Sequence, residues 1–159
     1  MITFPDARLR DSFKLDKLLA NAGLAVITIN NVETVTGPGT SAENESNAQA
    51  IINNFDAVGY IRQRRRLEIK DKRAARYIAL YPSDLEDQDP ASLALSADIM
   101  GNSIDLALDL WASIHTDART PSTAWAALLA VRAAAKVALH AVNQASTIAE
   151  IDAVQVVWP

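Results

Sequence analysis

The run YIRQRRRLEIKDKRAARYIALYP, residues 60–82, decides how this chain is organised. It has no glycine or proline before Pro82, and the spacing predicts one long helix from Tyr60 to Leu80. Tyr81 stands before that proline, where helical geometry is sterically disfavoured. Tyr60, Leu67, Ala74, Ala75 and Ile78 fall roughly on one side, interrupted by Arg64 and Asp71. Between Arg62 and Arg76 lie eight of the chain's fifteen basic residues, against only Glu68 and Asp71. Arginines on several sides of one helix read as an exposed connecting rod.

Upstream, Asp11 to Ala22 is predicted helical, with Phe13, Leu15, Leu18, Leu19 and Ala22 inward and Gly23 as the carboxyl-terminal cap. Two β-branched runs follow, Leu24–Ile29 and Val32–Thr36, separated by Asn30-Asn31. Both asparagines tolerate the positive φ of a tight turn, so a hairpin is expected. Gly37-Pro38-Gly39-Thr40 ends it, and a helix from Ala42 to Phe55 follows, capped by Ser41 or Thr40. Its expected buried stripe is Ala48, Ile51, Ile52 and Phe55.

Downstream, Tyr77 to Ala118 contains no Lys or Arg but eight acids, so a basic block is followed by an acidic one. The stretch Ser83 to Asp89 reads as an acidic loop feeding Pro90, at the first turn of a helix reaching Ile114. Pro121 opens a further Ala-rich helix to Gln144, with Trp125, Leu128, Leu129, Val131, Ala135, Leu139 and Val142 inside. Thr147 with Glu150 three residues later is a capping box for a short last helix. Val154 to Pro159 is expected to be extended. The class is mainly α (α+β), in three parts. Residues 1–58 form a small helix–hairpin–helix unit, 59–82 a long basic connecting helix, and 83–159 a helical hairpin or bundle.

Half of the 159 residues are apolar, enough for a real core, and there is no cysteine, which excludes disulfides and thiolate chemistry. The amino terminus lacks the layout of a signal peptide, and the best candidate for an uncharged apolar span, Thr120 to Val131, stops at Arg132. Synthesis and folding in a cytosol, with no membrane contact, are expected.

The chemistry-bearing residues form no catalytic constellation. His115 and His140 lie on different elements without a nucleophile turn, and His140 is expected to pack in its helix. Asp84, Glu86, Asp87 and Asp89 lack the glycine and final glutamate of a calcium loop. Gly37-Pro38-Gly39-Thr40 lacks the lysine of a phosphate loop. No enzyme, metal or cofactor is expected. The candidate partner-binding residues are Arg62, Arg64, Arg65, Arg66, Lys70, Arg73 and Arg76, with Trp111, Trp125 and Trp158. Nucleic acid is a disfavoured partner. The chain is acidic overall, and the arginine block lacks stacking aromatics.

Two stretches carry a resemblance. LLANAGLAVITINNVETVTG (18–37) followed by NAQAIINNFDA (47–57) resembles small proteins encoded beside the tail and tail-fibre genes of tailed bacteriophages. The ending AVNQASTIAEIDAVQVVWP (141–159) resembles the close of tail-fibre-assembly and related tail proteins. Together they cover about a third of the chain. The resemblance implies a non-enzymatic virion component of a tail or baseplate, present in several copies and binding a tail fibre or its attachment site. A transient tail-fibre assembly chaperone is the alternative, and a nucleic-acid-binding protein using the arginine helix comes after both. No functional residue transfers.

Overall fold

The computed structural model describes residues 2–29, 32–80 and 123–159. The expectations for the acidic loop 83–89, the helix 90–114, His115 and Trp111 lie outside them. The described part is mainly helical, with one two-stranded sheet. The chain divides into two compact units, Met1–Ile61 and Arg62–Pro159.

In the first unit, the Asp6 side chain accepts a hydrogen bond from the Arg8 amide at 2.8 Å and starts a 3-10 turn, Ala7–Asp11. The buried Ser12 then caps helix α1, Phe13–Asn21, by accepting from the Leu15 amide at 3.3 Å. Asp11 therefore belongs to the 3-10 turn, and α1 starts two residues later than its apolar spacing suggests. The stripe is also narrower than expected. Leu15 and Leu19, one turn apart, are buried, while Phe13 is 78% and Leu18 47% exposed. Two residues of helix rotate a side chain by about 200°, so Phe13 points away from Leu15. Gly23 closes the helix at φ +71°, with its amide on Ala20 O and the Leu24 amide on Leu19 O. These are the paired bonds of a glycine-terminated helix end.

Strands β1 (Ala25–Ile29) and β2 (Val32–Thr36) pair antiparallel, Ile29 opposite Val32 and Ala25 opposite Thr36. The register is the one a two-residue connection imposes. Helix α2, Ser41–Asn54, lies against β2, and α1 lies against β1. One hairpin face carries the buried Val35 and half-buried Val26, in line with buried Leu24. The opposite face turns Ile27 and Val32 outward, 42% and 50% exposed.

Thr40, not Ser41, caps α2. Its hydroxyl accepts from the Glu43 amide, and the Glu43 carboxylate accepts from the Thr40 amide at 2.8 Å. Ala48 and Ile52 are fully buried, Ile51 and Phe55 half-buried. The same row begins one turn earlier with a polar residue that the apolar stripe omits. Asn44 is 4% exposed, donates to Gly39 O at 2.9 Å and accepts from Gly39 N at 3.1 Å. Gly37 fits beside it because a Cβ there would lie 2.9 Å from Asn44 Oδ1 and 2.6 Å from a Leu24 methyl. Asn44 thus ties the hairpin exit to α2. Asn44→Ala removes both bonds and leaves polar backbone partly buried, so a loss of about 1–3 kcal/mol is expected in urea unfolding. A loss below about 0.5 kcal/mol would show the loop to be held by packing alone.

The start of the chain is tied down by Gln49. Its side-chain amide accepts from Thr3 N at 2.7 Å and donates to Thr3 O at 2.9 Å. Ile2 is buried beneath this pairing. Arg10 reaches across to Glu33 on β2 at 2.6 Å.

Helix α3, Ala57–Leu80, begins before Tyr60 because the Asp56 carboxylate accepts from the Gly59 amide at 2.8 Å. In the second unit, α4 (Thr123–Gln144) and the six-residue α5 (Ile148–Ala153) pack together. Leu128, Val131, Ala135, Ala138 and Val142 form the buried seam of α4, and Ile151 the buried residue of α5. Tyr77 is wholly buried with Leu128 and Val131, and Leu129 and Trp158 pack against this cluster. The expected seam of α3 needs correcting. Leu67 is 51% exposed, and the buried residues are Ile61, Ile69, Ala74 and Tyr77. His140, expected to pack, is exposed.

Candidate functional site: the arginine row and its surroundings

Positions 61, 65, 69, 73 and 77 form a row of one residue per helical turn: Ile61, Arg65, Ile69, Arg73, Tyr77. Each is buried or half-buried. Two arginines therefore share the inward side with the apolar residues, their stems covering apolar surface while their heads find polar partners.

Those partners lie more than eighty residues away in the chain. Arg62 Nη2 donates to Ala145 O at 2.7 Å, and Arg65 Nη2 donates to Val154 O at 2.7 Å. Ala145 follows α4, and Val154 follows α5. Arg62 thus caps the carboxyl end of α4 and Arg65 the carboxyl end of α5, the helix ends at which carbonyls lack intrahelical partners and carry partial negative charge. Arg65 Nη1 also donates to Glu68 at 2.6 Å, and Lys72 reaches the other oxygen of that carboxylate at 2.7 Å. Lys72 first, then Arg65, holds Glu68 below the ordinary carboxylate value. Further along, Arg76 stands over the Trp158 ring at 5.1 Å and Arg73 over Tyr77 at 5.7 Å.

Of the candidate partner-binding residues, Arg62, Arg65, Arg73, Arg76 and Trp158 come together on this one surface. Arg64, Arg66 and Lys70 are exposed on α3. Trp111 and the Trp125 side chain lie outside the described residues. The block is only partly the exposed rod its composition suggests. The signal in its sequence is a four-residue alternation of arginine with large apolar residues.

A second capping box holds the amino end of α5. Glu150 accepts from the Ser146 amide at 2.6 Å and the Thr147 amide at 3.2 Å, while Thr147 Oγ1 accepts from the Glu150 amide. The Ser146 amide is the main cause holding the Glu150 carboxyl below its usual 4.5, as the Thr40 amide does for Glu43. A folded-state value below the unfolded one contributes stability that is full above the ordinary range and is lost as pH falls through the folded value. Stability is therefore expected to fall on acidification below about pH 4.5. Glu43→Gln with Glu150→Gln should make that acid limb shallower in a pH series of urea melts. An unchanged slope would assign the limb to other carboxylates.

Two clefts accompany these elements. One, of about 430 Å³, is bounded by Leu24, Pro38, Gly39, Glu43 and Asn44, whose polar groups are engaged in the loop contacts described above. The other, of about 400 Å³, is bounded by Arg73, Arg132, Lys136, Leu139, His140 and Asn143. Among the described residues no three metal-ligating side chains converge. Ala126–Gln144 is long and apolar enough to cross a membrane by length and composition alone. That stretch includes Arg132 and Lys136, and one side of it is buried against protein.

Comparison with protein-family models, with curated proteins and with solved structures finds no match.

Proposed function

We propose that this chain is a non-enzymatic structural component of a bacteriophage tail or baseplate, binding a tail fibre or its attachment site through protein–protein contacts. The observation that carries the contact role is the outward hairpin face. Ile27 and Val32 stand in solvent between two strand edges that pair with no third strand among the described residues. Such an edge is a template for another chain's strand unless it is blunted by charge, and β1 has no charged residue. The tail as the place of action rests on the resemblance of residues 18–37, 47–57 and 141–159 to tail-associated proteins. In this reading the helix–hairpin–helix unit presents the contact, the long basic helix follows it, and the last part is a helical hairpin or bundle present in several copies. The internal use of Arg62, Arg65 and Arg76 weighs against a nucleic-acid role, since phosphates would compete with contacts already made.

The test is mass spectrometry of purified particles together with co-purification from infected cells. A structural part appears in the virion at stoichiometric copy number. A chaperone co-purifies with fibre protein but is missing from the particle. A monomer that co-purifies with no tail protein ends the proposal.

A further inference from the structure

The two strands of the hairpin differ as edges. Ile29 and Val32 flank a two-residue turn, the place where a carbonyl-to-amide bond closes the turn, so Ile29, Ile27 and Ala25 exchange hydrogen bonds with β2. The peptide groups of the residues between them, Val26 and Thr28, point away from β2. Among the described residues they have no hydrogen-bond partner. On β2 the residues in the equivalent position are Glu33 and Val35. Glu33 turns inward on the same face as Val35, its side chain 9% exposed and held by Arg10 at 2.6 Å. An inward-pointing charge is one of the devices that blunt a strand edge. β1, Ala-Val-Ile-Thr-Ile, has no charge of either sign and no proline.

We infer that β1 pairs antiparallel with β1 of a second copy of this chain, joining two hairpins into one four-stranded sheet about a two-fold axis at Ile27. The strand is self-complementary in that register. Val26 faces Thr28 of the second copy and Thr28 faces its Val26, and each pair exchanges N–H and C=O bonds. Ile27 lies opposite its own counterpart in the non-bonded position between them, where cross-strand side chains come closest. No charged side chain of β1 meets its like across the axis. A two-fold contact of this kind closes on itself, and it leaves the β2 edges outermost, where the inward Glu33 discourages further addition. Ile27 and Val32 of both copies then lie on one continuous outward face. The inference deepens the proposed function and rests on it for the hairpin as the contact element. The second copy takes the β1 edge, and the doubled apolar face is the one a fibre would meet.

The chain has no cysteine, so a single introduced thiol reports on the axis. The experiment is mild oxidation of full-length Ile27→Cys and Val32→Cys, with sedimentation equilibrium of the parent and of Ile27→Lys. Opposed Cα atoms of a non-bonded pair lie about 4.5 Å apart, inside the range a disulfide spans, so Ile27→Cys should cross-link to a dimer. Position 32 is at least as exposed as position 27, yet it would stand three strand spacings from its counterpart, about 14 Å. Val32→Cys should therefore cross-link about tenfold more slowly or less. The edge is only five residues long, so the parent should dimerise with a micromolar rather than a nanomolar constant. Ile27→Lys sets like charges face to face and should weaken the dimer about tenfold or more. Its far-ultraviolet circular dichroism should match the parent's because Ile27 is exposed, which separates loss of pairing from loss of fold. A parent that stays monomeric up to about 1 mM overturns the inference. So does equal cross-linking of the two cysteine variants, or a dimer that Ile27→Lys leaves intact. Co-purification of tail proteins is a separate readout. A dimer without a tail partner ends only the proposed function, and a monomer that binds a tail protein ends only this inference.

Discussion

Tyr77→Ala should lower the unfolding free energy by about 3–5 kcal/mol, the range for removing a large side chain from a closed core. Tyr77 is wholly buried among Leu128 and Val131, with Leu129 and Trp158 against the same cluster. Truncation would leave a ring-sized void bordered by two helices, and neither main chain can collapse into it without disturbing its own seam. The Arg73 guanidinium would also lose the ring it stands over at 5.7 Å. A cation over an aromatic face contributes about 0.5–2 kcal/mol depending on its desolvation. Tyr77→Phe keeps the ring and so should cost less than half as much in parallel urea titrations. Equal losses for the two variants would place the stabilisation in the hydroxyl and refute the packing account.

Part of this architecture is written locally, and that part was legible. A Thr followed three residues later by Glu specifies a capping box from adjacent residues, and Thr147/Glu150 forms as read. The hairpin is likewise local, with two β-branched runs, a two-residue gap and a single possible register. The helix interiors were legible as helix but less so as faces. Leu18 and Leu67 suit an apolar stripe by composition, yet only the position of neighbouring elements decides that Leu19 and Ile69 are buried instead. The role of Asn44 is not legible in the sequence, because a buried asparagine and an exposed one look alike there. Its partner, the peptide group of Gly39, has no side-chain signature. The candidate surface was half legible. The arginine block was visible, but its partners are backbone carbonyls at Ala145 and Val154, which every residue possesses and no motif marks.

The variant that most directly tests the arginine row is Arg62→Ala with Arg65→Ala. A hydrogen bond from a charged donor contributes about 1.5–3 kcal/mol, so the pair is expected to cost about 3–5 kcal/mol. The two effects should fall short of additive, because the two acceptors flank the same six-residue helix, Ala145 before it and Val154 after it. A helix that short does not persist alone in water. Its amino end has the Thr147/Glu150 box, but the flanking carbonyls of Ala145 and Val154 rely on the two guanidinium groups. Arg65→Lys is the informative control. One ammonium cannot reproduce the planar fork that bridges Glu68 and Val154 O, so lysine should recover less than half of the loss. Hydrogen exchange locates the effect. The Ile151 amide, bonded to Thr147 O at 3.1 Å, should exchange faster in the double variant, while amides of the first unit remain unchanged. Unchanged exchange at Ile151, or a loss under about 1 kcal/mol, would mean that buried Ile151 and Trp158 fasten the chain end without help. The arginines would then be solvated charges, as the composition of the block suggests. If exchange at Ile151 rises as expected, the inward arginines are structural, and exposed Arg66 and Lys70 are the α3 charges to test for partner contacts.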